Sequence, residues 1–589
     1  MYRKCYQGKK LGDNLFEMHL WESDGKHQVV PYLNEAYQVC DEDQAEAYGL
    51  TGEPVRKIKK WFFSKNEKYM HNNTPNLYFN DMGLVQKFLI ERYGTNDDPS
   101  TGHRELYFDI ECEIGGALTE EYIESAPMTI TSIAWWDKTE DHWAILILDK
   151  KGQLSHTKTG EKKNKEIIPV KTEQDLLMKF IENFRQIDPD ILIGYNSDYF
   201  DIPYLYYRIC NVLGSETADY LSPLHGQVQE PIKSKKYSKY YYGSDQYVKI
   251  LGVESLDYMK LHRKYSWKDE PSWRLDAIGE KYVGVNKIEY DGNLDQLFET
   301  DIFKFIQYNF RDVEILKLLD EKLDYIALTK NLSHKGKHNY EEVYFNSITQ
   351  DGAISAYLLS QGIIPPNREK KPRKKEGYAG GYLFCPKAGL YKNLFDLDLT
   401  SLYPSIIMTL NIGKETLIAR IIDADDRNNR LGFSDLQQMD PDKELLVHNM
   451  INNTQNMTPV HKIISSVEEY DLSMSANGCM FRTDKESTLS TILNKWFQQR
   501  VEFKNLMKEA YKAGDEEKGA YYHLMQYTMK ILLNSLYGAT ALPTFRYGMN
   551  YAIISEAITL SGWRIIQESA LFGNRWLNKV LRDEIKIEA

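Results

Sequence analysis

The stretch Leu394–Ile407, LFDLDLTSLYPSII, constrains this chain more than any other. Alternation puts Leu394, Asp396 and Asp398 on one face of a strand and Phe395, Leu397 and Leu399 on the other. The second face is apolar enough to bury, so the carboxylates must open onto something polar. Leu399-Thr400-Ser401 then leads through Leu402-Tyr403-Pro404-Ser405 into a helix with proline near its start. A carboxylate at a strand end, beside a helix N-terminus, suits a divalent cation with a phosphate bridged to it. Alone, such an Asp is more often a solvated edge residue, so the reading depends on what else the chain carries.

Three upstream islands carry more acids. Leu106–Glu113, LYFDIECE, alternates as a half-buried strand on which Asp109 and Glu111 project together. Adjacent carboxylates repel unless a cation neutralises them, although two solvated acids on a surface strand is the plainer reading of this island alone. Ile191–Leu205 reads as a short buried strand, a turn at Gly194 and a helix entry at Phe200-Asp201-Ile202-Pro203. Asp201 there could serve only as an N-terminal helix charge. Asp301–Leu319 repeats apolar residues at helical spacing, with Tyr308 and Asp312 at i and i+4 on one face.

Downstream, Leu489–Gly514 reads as a helix with Arg500 and Lys504 at i and i+4, and Asp515–Glu517 as a turn. Tyr521–Ala539 is a second helix with Lys530, Asn534 and Tyr537 in one stripe. A solvated helical hairpin would explain two such helices. Three cations, Arg500, Lys504 and Lys530, are also what a triphosphate needs for neutralisation. Tyr378-Ala379-Gly380-Gly381 follows a Pro/Lys boundary at Pro365–Lys375, and its glycines permit close backbone approach, or simply a turn. Residues 1–103 read as strands and short helices without a catalytic constellation, and 420–485 as polar and turn-rich.

The net charge of −12 is not that of a simple nucleic-acid binder. Basic residues nevertheless cluster at Arg56–Lys60, Lys162–Lys165, Lys233–Lys239 and Arg368–Lys375. Local clustering governs phosphate contact more than the sum does. The run Lys233–Tyr242, KSKKYSKYYY, interleaves lysine and tyrosine as single-strand stacking platforms do. At 589 residues, 42% hydrophobic and 27% charged, the chain should hold several domains with large cores. Six scattered cysteines without a C-x-x-C pair, no signal-like N-terminus and no transmembrane run imply a soluble protein in a reducing, cytoplasmic setting with no membrane partner.

In their order and spacing these stretches resemble family B DNA polymerases. DLTSLYPSII is similar to motif A, KILLNSLYG to motif B, and the three acid islands to the Exo I, Exo II and Exo III motifs of the attached DnaQ-like 3′–5′ exonucleases. The wording of Ser255–Gly279 resembles the polymerases of T-even-like tailed bacteriophages. The resemblance implies an α/β multidomain fold with an RNase H-like exonuclease domain, a polymerase palm and helical fingers. It implies two Mg²⁺ per site, replaceable by Mn²⁺, with Asp109, Glu111, Asp201 and Asp312 as exonuclease ligands and Tyr308 orienting the attacking water. In the palm, Asp398 and Leu399 would hold the metals. Leu402, Tyr403, Arg500, Lys504, Lys530, Asn534, Tyr537 and Gly538 would contact a dNTP, with Tyr403 as the sugar gate. Tyr378, Gly380 and Gly381 would approach primer–template DNA, and single-stranded DNA would enter the exonuclease.

The expected segments are an N-terminal domain at 1–103, the exonuclease at 104–325, a returning N-terminal segment and linker at 326–369, palm at 370–485, fingers at 486–541, and palm again at 542–589. The family's third polymerase motif, Tyr-Gly-Asp-Thr-Asp-Ser, does not occur, and Asp423 to Asp425 is an Asp-x-Asp with the wrong flanks. The chain therefore reads as the large part of a split polymerase, completed by a partner that carries that motif and the thumb and could bring a sliding clamp. A truncated chain is the plainer alternative. An exonuclease acting alone and a non-catalytic nucleic-acid-binding regulator are the competing functions.

Overall fold

In the computed structural model the described residues are 1–58, 77–159, 164–234, 248–266, 269–368, 379–385, 387–390, 392, 397–422, 431–542, 544–549 and 552–581. Tyr378, Asp396, Asp423–Asp425, residues 235–242 of the Lys/Tyr run, and residues 59–60, 162–163, 235–239 and 369–375 of the four basic clusters lie outside them. The chain forms two compact units. One comprises 1–34, 59–62 and 83–345, and the other 35–58, 63–82 and 346–589. These are coarser than the six expected segments, and 35–58 groups with the second unit.

The first unit is built on a seven-stranded mixed sheet. Its order is Thr157–Thr159, Asn164–Val170, His142–Leu148, Ile130–Asp137, Glu105–Cys112, Ile191–Gly194 and Glu254–Asp257. Glu105–Cys112 is central, antiparallel to 130–137 and parallel to 191–194. A strand covered on both faces needs apolar residues at nearly every position. Leu106, Phe108, Ile110, Ile133, Trp135 and Leu146 supply them, packed against Leu176, Leu177 and Phe180 of the Glu173–Ile187 helix. A polar residue on such a strand is therefore placed for a reason other than solubility. An antiparallel sheet of Tyr2–Gly12, Leu15–Glu22 and His27–Leu33 joins this unit, with buried Lys4 and Arg3 both paired to Asp190.

The second unit holds a five-stranded antiparallel sheet ordered Thr454–Pro459, Glu444–Asn449, Leu417–Ile421, Cys479–Phe481 and Ser473–Met474. It packs Ile421, Leu445 and Met480 against Val460, Ile463 and Val467 of the Val460–Glu469 helix. The stretch that reads as polar and turn-rich is thus a small layered body with its own core, because its strands are too short to stand out as alternation. Two 25-residue helices, Thr488–Lys512 and Glu516–Thr540, run back to back. The second begins earlier than its apolar pattern suggests. Asp515 accepts from the Lys518 N–H, and Glu516 and Glu517 complement the helix N-terminus. A long helix, Ile553–Leu581, follows.

Candidate active sites

The acids of the first unit come from three elements. Asp109 and Glu111 lie two residues apart on the central strand, opposite Ala134 and Ser132 in the antiparallel ladder. Asp312 and Tyr308 lie one turn apart on the Ile302–Leu323 helix. Carboxylate oxygens of Asp109, Glu111 and Asp312 all fall within 4.8 Å of one another. Asp201 opens the Asp201–Leu213 helix, and its Oδ1 accepts from the backbone N–H of Ile110, between the two strand acids, at 3.2 Å. The loop that delivers it is tight: a Cβ on Gly194 would come within 2.5 Å of Ser197 Cβ. Glycine is what lets that turn close.

Burial and mutual repulsion govern the electrostatics here. Burial first, then Asp312, Glu111 and Asp201, push Asp109 well above the usual carboxylate range. Burial and then Asp312 raise Glu111 to about 8. Burial raises Asp201 to about 7, and raises Asp312 in spite of an adjacent lysine. That lysine is Lys287, whose Nζ donates to Asp312 Oδ2 at 2.5 Å and to Tyr308 Oη at 3.2 Å. Burial and then Asp312 raise the Tyr308 phenol, so it keeps its proton and can donate. One lysine against four acids leaves the cluster short of positive charge. The donor set is oxygen-only and anionic, and it fits hard divalent cations. Bound there, such cations supply Lewis-acid polarisation of a phosphodiester.

Lys287 and Asn309 are site residues that the sequence reading passes over. Lys287 lies in an irregular stretch between the Leu275–Val283 and Leu294–Thr300 helices, where no periodicity marks it. Asn309 was more legible. It is a polar residue within the apolar stripe of the 302–323 helix, fully buried and bonded to Asp109.

In the second unit Asp398 is exposed, and Leu397 and Leu399 beside it belong to no strand. The expected strand therefore does not form over 397–399. Leu397 is 84% exposed and has no ladder partner among the described residues, and a strand needs one. The helix that follows does form, over Leu402–Thr409, with Pro404 tolerated in its first turn. Tyr403 lies against Tyr537 of the 516–540 helix with ring centroids 4.4 Å apart. A Cβ on Gly381 would sit 3.3 Å from Tyr403 Oη, so the Gly-Gly element closes on the same ring. Gly380 accepts from Trp563 Nε1 and Ala379 from Thr559 Oγ1, which lays this element along the 553–581 helix. Arg500 is half-buried and Lys504 exposed on the first fingers helix. Lys530, with Nζ 5.8 Å from the Tyr527 ring, is half-buried on the second, where Asn534 and Gly538 are exposed. Among the described residues, the acid cluster of metal-holding geometry is that of Asp109, Glu111 and Asp312.

Residues 32–278 match the exonuclease domain of DNA polymerase family B, and residues 346–588 match DNA polymerase family B itself. The chain belongs to DNA polymerase family B. It is 27% identical to a DNA-directed DNA polymerase of Escherichia phage RB69, over 98% of this chain and 67% of that protein. It is 26% identical to the DNA-directed DNA polymerase of Enterobacteria phage T4, over 97% and 66%. A DNA polymerase of Pyrococcus glycovorans is 26% identical over 80% of this chain and 51% of its own length. The family B chain thus spans about two thirds of the length of these two phage proteins. Asp312 and Tyr308 fall beyond the matched exonuclease range, yet the fold brings them onto Asp109 and Glu111. No helix among the described residues is long and apolar enough to cross a membrane.

Proposed function

We propose that this chain carries the 3′–5′ proofreading exonuclease and the nucleotide-binding part of a DNA-directed DNA polymerase. The observation that carries the reading is the convergence of Asp109, Glu111 and Asp312 from separate elements, with Tyr308 and Lys287 against them. In the exonuclease, Asp109, Glu111, Asp201 and Asp312 hold two Mg²⁺, which Mn²⁺ can replace. Lys287 fixes Asp312, and the protonated Tyr308 orients the water. In the palm, Asp398 and the Leu399 carbonyl hold metal. Leu402, Tyr403 and Tyr537 face the sugar and base of a dNTP, and Arg500, Lys504, Lys530, Asn534 and Gly538 face its phosphates. Tyr378, Gly380 and Gly381 follow the DNA backbone. The chain works in the cytoplasm of a phage-infected bacterium.

Synthesis, in this reading, requires a second polypeptide that supplies another palm acid and the thumb, and through which a sliding clamp would act. Support comes from exposed apolar surface in the second unit. Leu571, Phe572 and Trp576 on the 553–581 helix are 47, 70 and 53% exposed, which soluble surfaces rarely present together. A cavity of about 660 Å³ opens beside motif A between Leu399, Leu402, Ile406, Phe433 and Ile565. An exonuclease acting alone shares the same acids, and exposed Asp398, which belongs to no metal-holding cluster among the described residues, favours it for the isolated chain. A non-catalytic regulator would have no use for four converging acids.

The test is degradation of single-stranded DNA labelled at its 5′ end, with Mg²⁺ or Mn²⁺. A ladder shortening from the 3′ end is expected, and intact DNA after prolonged incubation would remove the reading. Adding a polypeptide that carries the Tyr-Gly-Asp-Thr-Asp-Ser strand and thumb separates the two versions. Incorporation then supports the split polymerase, and unchanged degradation without incorporation supports the lone exonuclease.

A further inference from the structure

Asn309 lies on the 302–323 helix between Tyr308 and Phe310 and is fully buried. Its Nδ2 donates to Asp109 Oδ2 at 2.6 Å, and its Oδ1 accepts from Ser132 Oγ at 2.8 Å. Ser132 is itself fully buried, on the neighbouring strand directly opposite Glu111. The three side chains form a relay from strand to helix to strand, and it ends on an acid of the cluster. Its direction is fixed by chemistry. With a cation bound Asp109 is ionised and can only accept, so the amide must turn its NH₂ group to Asp109 and its oxygen to the serine hydroxyl. The lysine of the cluster is engaged elsewhere, since Lys287 is hydrogen-bonded to Asp312 and Tyr308. A neutral donor grips a metal-binding carboxylate without competing for its charge, which a second lysine would do.

We propose that Asn309 is a positioning residue that fixes the carboxylate plane of Asp109 for cation binding, and that Ser132 sets the orientation of the Asn309 amide. The inference rests on the exonuclease reading above. Groups that orient metal ligands in this way are worth about 10- to 100-fold in metal affinity.

The probe is Mn²⁺ alone, titrated into the full chain with free ion followed by electron paramagnetic resonance. The binding lost in Asp109→Ala with Glu111→Ala defines the exonuclease component. Asn309→Ala should weaken that component about 10- to 100-fold. Ser132→Ala leaves the donor in place but frees the amide to rotate, so a loss of about three- to tenfold is expected. Because the serine acts through the asparagine, the double variant should match Asn309→Ala alone. Unchanged Mn²⁺ affinity in Asn309→Ala, even with a lowered melting temperature, would make the residue merely structural and overturn the proposal. So would additive losses in the double variant. Should Asn309→Ala not fold, Ser132→Ala decides alone, with full wild-type affinity as the contradicting result. Failure of the reading beneath is distinguishable: the chain would then lose no Mn²⁺ binding in the Asp109, Glu111 double variant, which overturns both.

Discussion

The acids of the first unit and the acid of the second are held in opposite ways. Asp109 and Glu111 sit on an interior strand of a seven-stranded sheet, and Asp201 and Asp312 are buried on two helices. Asp398 stands exposed next to residues that pair with nothing described. The first cluster stores repulsion in a preformed frame, where burial raises every member. The second has a well-made surround, Tyr403 against Tyr537 and the fingers pair, but among the described residues no strand frames its acid. The acids are thus held in place where the sheet that carries them is continuous. The two activities of one family B chain should separate accordingly.

The largest effect expected is on nuclease activity. Asp109→Ala with Glu111→Ala should cut single-strand degradation by about a thousandfold or more, since the metal contribution is several kcal/mol. Asp398→Ala should leave it unchanged, and equal losses from both variants in a gel-based assay would break the comparison. Next is sugar choice. In the assembly proposed above, Tyr403→Ala should raise ribonucleotide incorporation by about a hundredfold, the scale on which a pocket distinguishes one hydroxyl. Unaltered discrimination would remove Tyr403 from beneath the ribose. Lys287→Met should lower degradation about 10- to 100-fold by freeing Asp312 and Tyr308, with little change in far-UV circular dichroism.

A smaller effect concerns stability. Glu111 at about 8 and Asp201 at about 7 bind protons in the folded chain that the unfolded chain releases near pH 4. Between pH 4 and 8 the folded state holds more protons, so stability falls as pH rises through that window. In EDTA the melting temperature should therefore drop by a few degrees between pH 5.5 and 8, and Mg²⁺ should recover it at pH 8. Scanning calorimetry of the Asp109, Glu111 double variant should show both effects diminished. A melting temperature that rises with pH in EDTA would mean that the cluster is not the source.

Much of this was legible in the sequence because local rules governed it. Alternation located the strand of Asp109 and Glu111, and helical spacing placed Tyr308 above Asp312. The helix entries at Asp201 and Leu402 followed from short, local signals. What escaped depends on distant parts of the chain. The 397–399 strand did not form, because a strand is completed by its neighbour and not by its own alternation. Lys287 reaches the acids from a loop without pattern. Asn309 was visible only as a polar interruption in an apolar stripe, a signal that acquires meaning once Asp109 is known to face it. The exposed apolar residues of the 553–581 helix look like an ordinary amphipathic face until their exposure is known.

The central claim is that the acids of the first unit are held in a preformed frame and that Asp398, among the described residues, is not. The direct measurement offers the purified chain a primer–template with a 5′-labelled primer, Mg²⁺ and all four dNTPs, and follows primer length over time. The primer should shorten from its 3′ end and never lengthen. Template-directed lengthening by the chain alone would contradict the account.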